Sequence, residues 1–194
     1  MKFKYLKHIQ LPYYEGDIIW TVCPITGSLL KTNMHKNEKM KMKIPLKVLK
    51  AIEFCNQPYS CCLNNDSKEV QPRELKLVEK TNKIHEILLK IGNNRFYLTR
   101  LYSSFKHELF NTTVESIFQI NSIEIQIELK HRLCLQRAFL AAKISKSFEN
   151  NGVLFIGAFL PTGDMHAWII ENGVQPDSDD RGWINYRPLL AFYN

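Results

Sequence analysis

Several protein classes are excluded by what this chain has too little of. Eight glycines and eight prolines in 194 residues are too few for a collagenous or linker-dominated protein. No apolar run approaches the ~20 residues of a membrane span. The basic start Met1–His8 is followed by no apolar stretch, so it does not read as a secretory signal. There is no GxxxxGK(S/T) phosphate loop, no CxxC pair, no internal repeat and no low-complexity tract. The expectation is a soluble, cytoplasmic protein with no membrane span and no nucleotide site of its own.

What remains is ordinary globular composition, 45% apolar and 23% charged. The length suits one domain or two compact ones, and a chain of this size buries about 70% of its unfolded surface, so it folds without staples. Five cysteines, at 23, 55, 61, 62 and 134, form no regular framework and are expected to be reduced thiols. Cys55, Cys61 and Cys62 are weak metal candidates: the adjacent pair is an awkward chelate, and the nearest histidines are distant in sequence. Ordinary thiols are expected there, and no metal.

The net charge of +7 is concentrated at one end, because residues 1–50 hold ten lysines and three acids while the rest of the chain balances. The densest part, Lys31 to Lys50, suits an acidic peptide, a membrane surface or a nucleic acid, or simply a solvated face. It contains no Arg, and no aromatic residue lies between positions 21 and 53, which argues against nucleic acid as a partner.

Along the chain, residues 1–30 read as β-rich. Lys2–Leu6 alternates, and Asp17–Cys23 is a β-branched run ending in the turn Pro24–Gly27. Pro45–Ile52 has helical spacing with Pro at a first-turn position. Residues 56–73 are polar and read as loop, the candidate boundary between two lobes. Glu74–Lys90 is expected to be an amphipathic helix and Arg95–Leu101 a strand. Leu133–Phe148 has a helical pattern carrying three alanines that allow close approach to a sheet. Asn150–Gly152 supplies its stop, and Val153–Leu160 is the apolar run of a buried strand. Pro161–Asp164 turns the chain into a second strand, Met165–Glu171. Asn172–Gly173 is a hairpin signal, so a third strand is expected to begin at Val174.

This order of helix, strand, strand, strand carries a cysteine at the helix start and a histidine early in the second strand. Free N–H groups and the dipole at a helix start favour a thiolate, so Cys134 is a candidate nucleophile. His166 is a candidate base. Strand alternation puts His166, Trp168 and Ile170 on one face, and packing of that face on the helix brings the imidazole to the sulfur. A carboxylate should orient the imidazole, and Asp177, Asp179 and Asp180 follow the turn. A two-residue turn sets Asp179 opposite His166 and Asp177 opposite Trp168, unless a bulge shifts the register.

Residues 133–177 also resemble a known family. Leu133-Cys134-Leu135-Gln136-Arg137-Ala138, the segment Gly152 to Gly157, His166-Ala167-Trp168-Ile169, Gly173 and Asp177 are similar to the lasso-peptide maturation peptidases. These are the B proteins of microcin-J-type biosynthesis, with a transglutaminase-like cysteine protease fold. The family pattern is a C-L-x-R-(S/A) helix start, an (L/V)-x-I-G strand, and H-(A/S)-W followed by Gly and Asp.

The resemblance implies an α+β protein. A small winged-helix-like leader-recognition lobe (residues 1–72, with a boundary within 56–73) would precede a transglutaminase-like peptidase domain (73–194). It further implies Cys134 as nucleophile, His166 as base and then acid, and Asp177 as orienting carboxylate. The family's acid usually follows the histidine by twelve positions, where this chain has Ser178. Aligning Val174 selects Asp177, whereas the hairpin register prefers Asp179. The implied activity is removal of the leader from a ribosomally made lasso-peptide precursor. A partner macrolactam synthetase resembling asparagine synthetase would then close the ring. No cofactor is expected for the peptidase chemistry, and ATP would be used by the partner in the maturation complex.

Three rivals stand beside this reading. One is a non-catalytic adaptor that presents the precursor to the synthetase. Another is a transglutaminase-like acyltransferase in which an amine, not water, resolves the acyl-enzyme. The third is a basic DNA-binding winged helix with an unrelated C-terminal domain.

Overall fold

The structure is a computed structural model that describes residues 6–33, 42–55, 134, 135, 138, 142, 146–171 and 185–194. In chain order its elements are β1 (Lys7–Gln10), β2 (Tyr13–Glu15), β3 (Ile18–Val22), β4 (Leu29–Asn33) and α1 (Leu46–Cys55). These are followed by α2 (Lys146–Asn151), β5 (Gly152–Phe159), β6 (Asp164–Glu171) and β7 (Arg187–Tyr193). Cys134, Leu135, Ala138 and Ala142 are also helical. Helices thus combine with antiparallel sheets, as expected of the α+β class.

The apolar run that reads as a buried strand is β5, and seven of its eight residues are buried. It is hydrogen-bonded to β6 on one side and β7 on the other, and β1 lies outside β7, giving the order β1-β7-β5-β6. The β5–β6 loop runs from Phe159 to Asp164. Gly163, at φ 79°, lets the chain re-enter the strand, and the Thr162 hydroxyl donates to Asp164 at 2.6 Å. β2, β3 and β4 form a separate three-stranded sheet. Its first turn is the pair Gly16-Asp17, and Gly16, at φ 59°, meets the positive φ that a tight hairpin demands.

Because β5 is apolar on both faces, two cores form. On one face Leu154, Ile156 and Ala158 pack with Ala167, Ile169, Leu190, Phe192, Phe148 and the helical Ala138 and Ala142. On the other face Val153, Phe155, Trp168, Ile170 and Ala191 pack against Val48, Ala51 and Cys55 of α1. The register of β7 skips from Pro188 to Leu190 beside β5, so Leu189 joins the first core next to Leu190 despite the strand period.

The N-terminal residues take part in both cores. Val22 is fully buried in the first, Leu11 and the buried face of α1 lie in the second, and β1 is hydrogen-bonded to β7 from Lys7↔Tyr193 to Gln10↔Leu190. Residues from the expected lobe 1–72 and from the expected domain 73–194 therefore share a sheet and two cores. The proposed boundary at 56–73 lies outside the described residues, as do the helix read at Glu74–Lys90, the strand read at Arg95–Leu101 and the strand start at Val174.

Elsewhere the elements shift or exceed the expectations. The first described strand is Lys7–Gln10, beyond the alternating Lys2–Leu6, of which only Leu6 is described. β2 and β4 have no counterpart in the sequence reading, since Leu29–Asn33 mixes one half-buried position with four exposed ones and shows no alternation. Gly152 opens β5 directly and does not merely stop a helix. A Cβ there would collide with the Phe148 ring, so its bare backbone allows α2 to fold back on the strand it feeds. No helix among the described residues is long and apolar enough to cross a membrane.

Fully burying a side chain such as Val22 contributes ~1.5–3 kcal/mol. A fragment of residues 73–194 loses that contribution, the α1 cover and the β1 pairing together. By circular dichroism it is expected to show no cooperative thermal unfolding, whereas the full chain does. A cooperative transition in the fragment would establish the two parts as independent domains.

Candidate active site

β6 is the outermost described strand of its sheet, so every second backbone group along it points away from β5. The N–H of Ala167 is one of these, and it donates to Sγ of Cys134 at 3.3 Å. Cys134 is helical, half-buried and free of any disulfide, and it packs against the first core beside Ala167 and Ile169. Its sulfur therefore rests on the backbone of the residue that follows His166. A hydrogen bond from an N–H favours a thiolate over a thiol, because the anion is the better acceptor.

His166 lies opposite Gly157 in the β5–β6 register and is half-buried. Its ring stacks on that of Trp168, with centroids 6.0 Å apart and planes 11° from parallel. It also meets the ring of Tyr186 at 5.2 Å and 44°. Trp168 is 1% exposed, lies 5.6 Å from the Phe155 ring, and donates its Nε1–H to Sγ of Cys55 at 3.5 Å. Gly157 makes room for this arrangement. A Cβ there would sit 2.7 Å from the far carbon of the indole and collide with the Arg187 carbonyl.

Packing of the His166 face on the cysteine helix is not what the structure shows. That face, with Trp168 and Ile170, is covered by α1, while Cys134, Leu135, Ala138 and Ala142 belong to the core on the opposite face, with Ala167 and Ile169. Both faces of β5 and β6 are apolar, so alternation alone does not say which helix covers which. Cys134 still reaches the neighbourhood of His166, by way of the strand edge. Asp177 and Asp179 lie outside the described residues, as do Asp180 and the hairpin residues Asn172 and Gly173.

Three described cysteines occupy three environments. Cys55 is buried in the second core, where desolvation pushes its thiol from 9.0 up to about 11 despite the Trp168 hydrogen bond. Cys23 is half-buried at the start of the Pro24–Gly27 turn, where the Thr26 hydroxyl and the N–H groups of Thr26 and Ile25 hold its thiol below the ordinary value. Cys134 is half-buried and accepts the backbone N–H of Ala167, the residue after His166. No three His, Cys, Asp or Glu side chains among the described residues are grouped to hold a metal ion.

Sequence reasoning missed Tyr186, which precedes β7 by one residue, and the activating turn at Cys23. The signal for the latter was present in Thr26, three positions on, followed by Gly27.

Of the Lys31–Lys50 segment, the described Lys43 and Lys50 are exposed, and Lys31 sits 5.1 Å above the Trp20 ring. Comparison with protein-family models, with curated proteins and with solved structures finds no match for this chain.

Two outcomes follow from these environments. Ala167→Pro removes the N–H that faces Cys134, on the side of β6 away from β5. Alkylation of Cys134 by iodoacetamide near neutral pH is expected to slow about tenfold, the equivalent of one hydrogen bond to a charged group. Cys23, alkylated in the same tube, serves as the unchanged reference.

The second outcome concerns Cys55, whose folded-state pKa is raised. Above about pH 9 the unfolded chain releases a proton that the folded chain keeps until about 11. This group's contribution to stability therefore falls as pH rises through that window. Urea unfolding of wild type and Cys55→Val should show wild type losing stability faster between pH 8.5 and pH 10.5, and parallel curves would contradict it.

Proposed function

We propose that this chain is a cysteine peptidase of the transglutaminase-like type, acting as the leader peptidase of a lasso-peptide maturation system. The observation that carries the reading is the Cys134 sulfur at 3.3 Å from the Ala167 N–H, on the strand position next to His166. The motif resemblance over residues 133–177 supplies the substrate class.

In this reading the Cys134 thiolate attacks the scissile carbonyl carbon and an S–C bond forms. The oxyanion is met by the Cys134 backbone N–H at the helix start. The C–N bond then breaks as His166, protonated in the thiolate–imidazolium pair, gives its proton to the departing amine. His166 next takes a proton from water, the resulting hydroxide adds to the thioester carbonyl, the C–S bond breaks, and the leader acid leaves as the thiolate–imidazolium pair is restored. Asp177, or Asp179 in its place, orients the imidazole through its other nitrogen. ATP is consumed by the partner synthetase, which closes the macrolactam ring after the leader is gone.

The N-terminal segment is the leader-recognition element. An extended, unstructured peptide adds to a sheet edge through main-chain hydrogen bonds, and the lysines of residues 31–50 attract its carboxylates.

The test is mass spectrometry of the cognate precursor after incubation with this protein and the partner synthetase, for wild type and Cys134→Ala. Loss of the leader with wild type only is expected. Equal processing by both proteins would remove Cys134 from the nucleophile role. Leader binding by both without cleavage by either would favour the adaptor.

A further inference from the structure

The imidazole of His166 needs a fixed ring orientation if it is to serve a thiol on one side and a leaving amine on the other. Two described rings touch it. Trp168 stacks on it at 6.0 Å, and Tyr186 meets it at 5.2 Å from the segment that leads into β7. Trp168 has little freedom of its own. Its ring fills the space that Gly157 leaves beside β5, packs on Phe155, and ties through Nε1–H to Cys55 on α1. Tyr186 is itself held by the Phe159 ring at 6.3 Å and by packing against the second core. Ring contacts at these separations lie in the favourable range for aromatic pairs.

We infer that Tyr186 and Trp168 are positioning residues that together clamp the His166 imidazole, with Trp168 anchored from α1 by Cys55. The clamp ties the histidine to three parts of the chain: β6 itself, the entry to β7, and a helix of the N-terminal segment. Its catalytic consequence rests on the peptidase reading, whereas its geometry does not. The clamp acts through the ring of Tyr186, which Tyr186→Phe keeps.

The experiment is a carbon–proton NMR measurement of the histidine ring signals in the full chain, which has six histidines. The His166 signals are assigned by their loss in His166→Gln. Ring currents from the two neighbours are expected to shift the wild-type His166 ring protons upfield of free histidine. Tyr186→Leu should move them back toward the free position, and Tyr186→Phe should leave them in place. Trp168→Phe keeps a ring but loses the bond to Cys55, and it is expected to produce a partial return. Trp168 is fully buried, so the half-buried Tyr186 pair decides the matter if the Trp168 variant does not fold.

In precursor cleavage, Tyr186→Leu should lower kcat by about tenfold to hundredfold with KM little changed, as misorientation of a catalytic group does, and Tyr186→Phe should restore it. Wild-type His166 signals at the free-histidine position, or signals that Tyr186→Leu leaves unmoved, would overturn the clamp. Shifted signals that respond as described, in a protein that cleaves no precursor, would uphold the clamp and remove the peptidase reading.

Discussion

β5 is apolar on both faces, and the rest of the described structure follows from the need to cover it twice. A strand buried on two sides has to find two layers, and this chain supplies them from distant parts of its length. One layer is α1 with Leu11. The other is the helical stretch around Ala138 and Ala142, with Phe148 and Val22. Small residues at 138 and 142 allow a close approach on that side, and Cys134, in the same core, meets the Ala167 N–H of β6. The position of the sulfur is thus a by-product of how the sheet is sealed. The same requirement draws N-terminal residues into the C-terminal sheet, which explains why β1 pairs with β7 and why Val22 has no exposure.

Three thiols show how environment decides chemistry. Cys55 sits in a dry core whose polar neighbour is an indole N–H, and desolvation keeps it protonated. Cys23 sits in a turn whose hydroxyl and amide groups favour the anion. Cys134 accepts a strand-edge N–H beside the histidine, the arrangement that can both charge a thiol and give it a proton partner. The first is a packing residue, the second an activated thiol without a nearby base on its own turn, and the third the candidate for covalent chemistry.

Much of the local structure was legible in the residues themselves. The apolar run gave β5, the β-branched run gave β3, proline marked the start of α1, and glycine marked the turn into β6. These are short-range signals carried by neighbouring residues. β2 and β4 were not legible, because Tyr13–Glu15 is only three residues long and Leu29–Asn33 is exposed from Leu30 onward, so neither shows an alternating pattern. Nor was the assignment of faces. His166 and Trp168 are two apart and must share a side, yet which helix meets that side depends on contacts more than a hundred positions away in sequence, as between Cys55 and Trp168. The pairing of Cys134 with the His166 strand was readable from spacing as a possibility, and its route through the Ala167 N–H was not. The carboxylate expected to orient the imidazole, Asp177 or Asp179, lies outside the described residues.

Cys134 and His166 are proposed to act as a pair. The most direct test compares alkylation rates of individual cysteines at neutral pH in wild type and His166→Ala, read by peptide mapping, with Cys23 as internal reference. Cys134 is expected to slow by roughly tenfold or more, since the imidazole proposed to take its proton is gone, while Cys23 keeps its rate. Equal rates for Cys134 in the two proteins would contradict it.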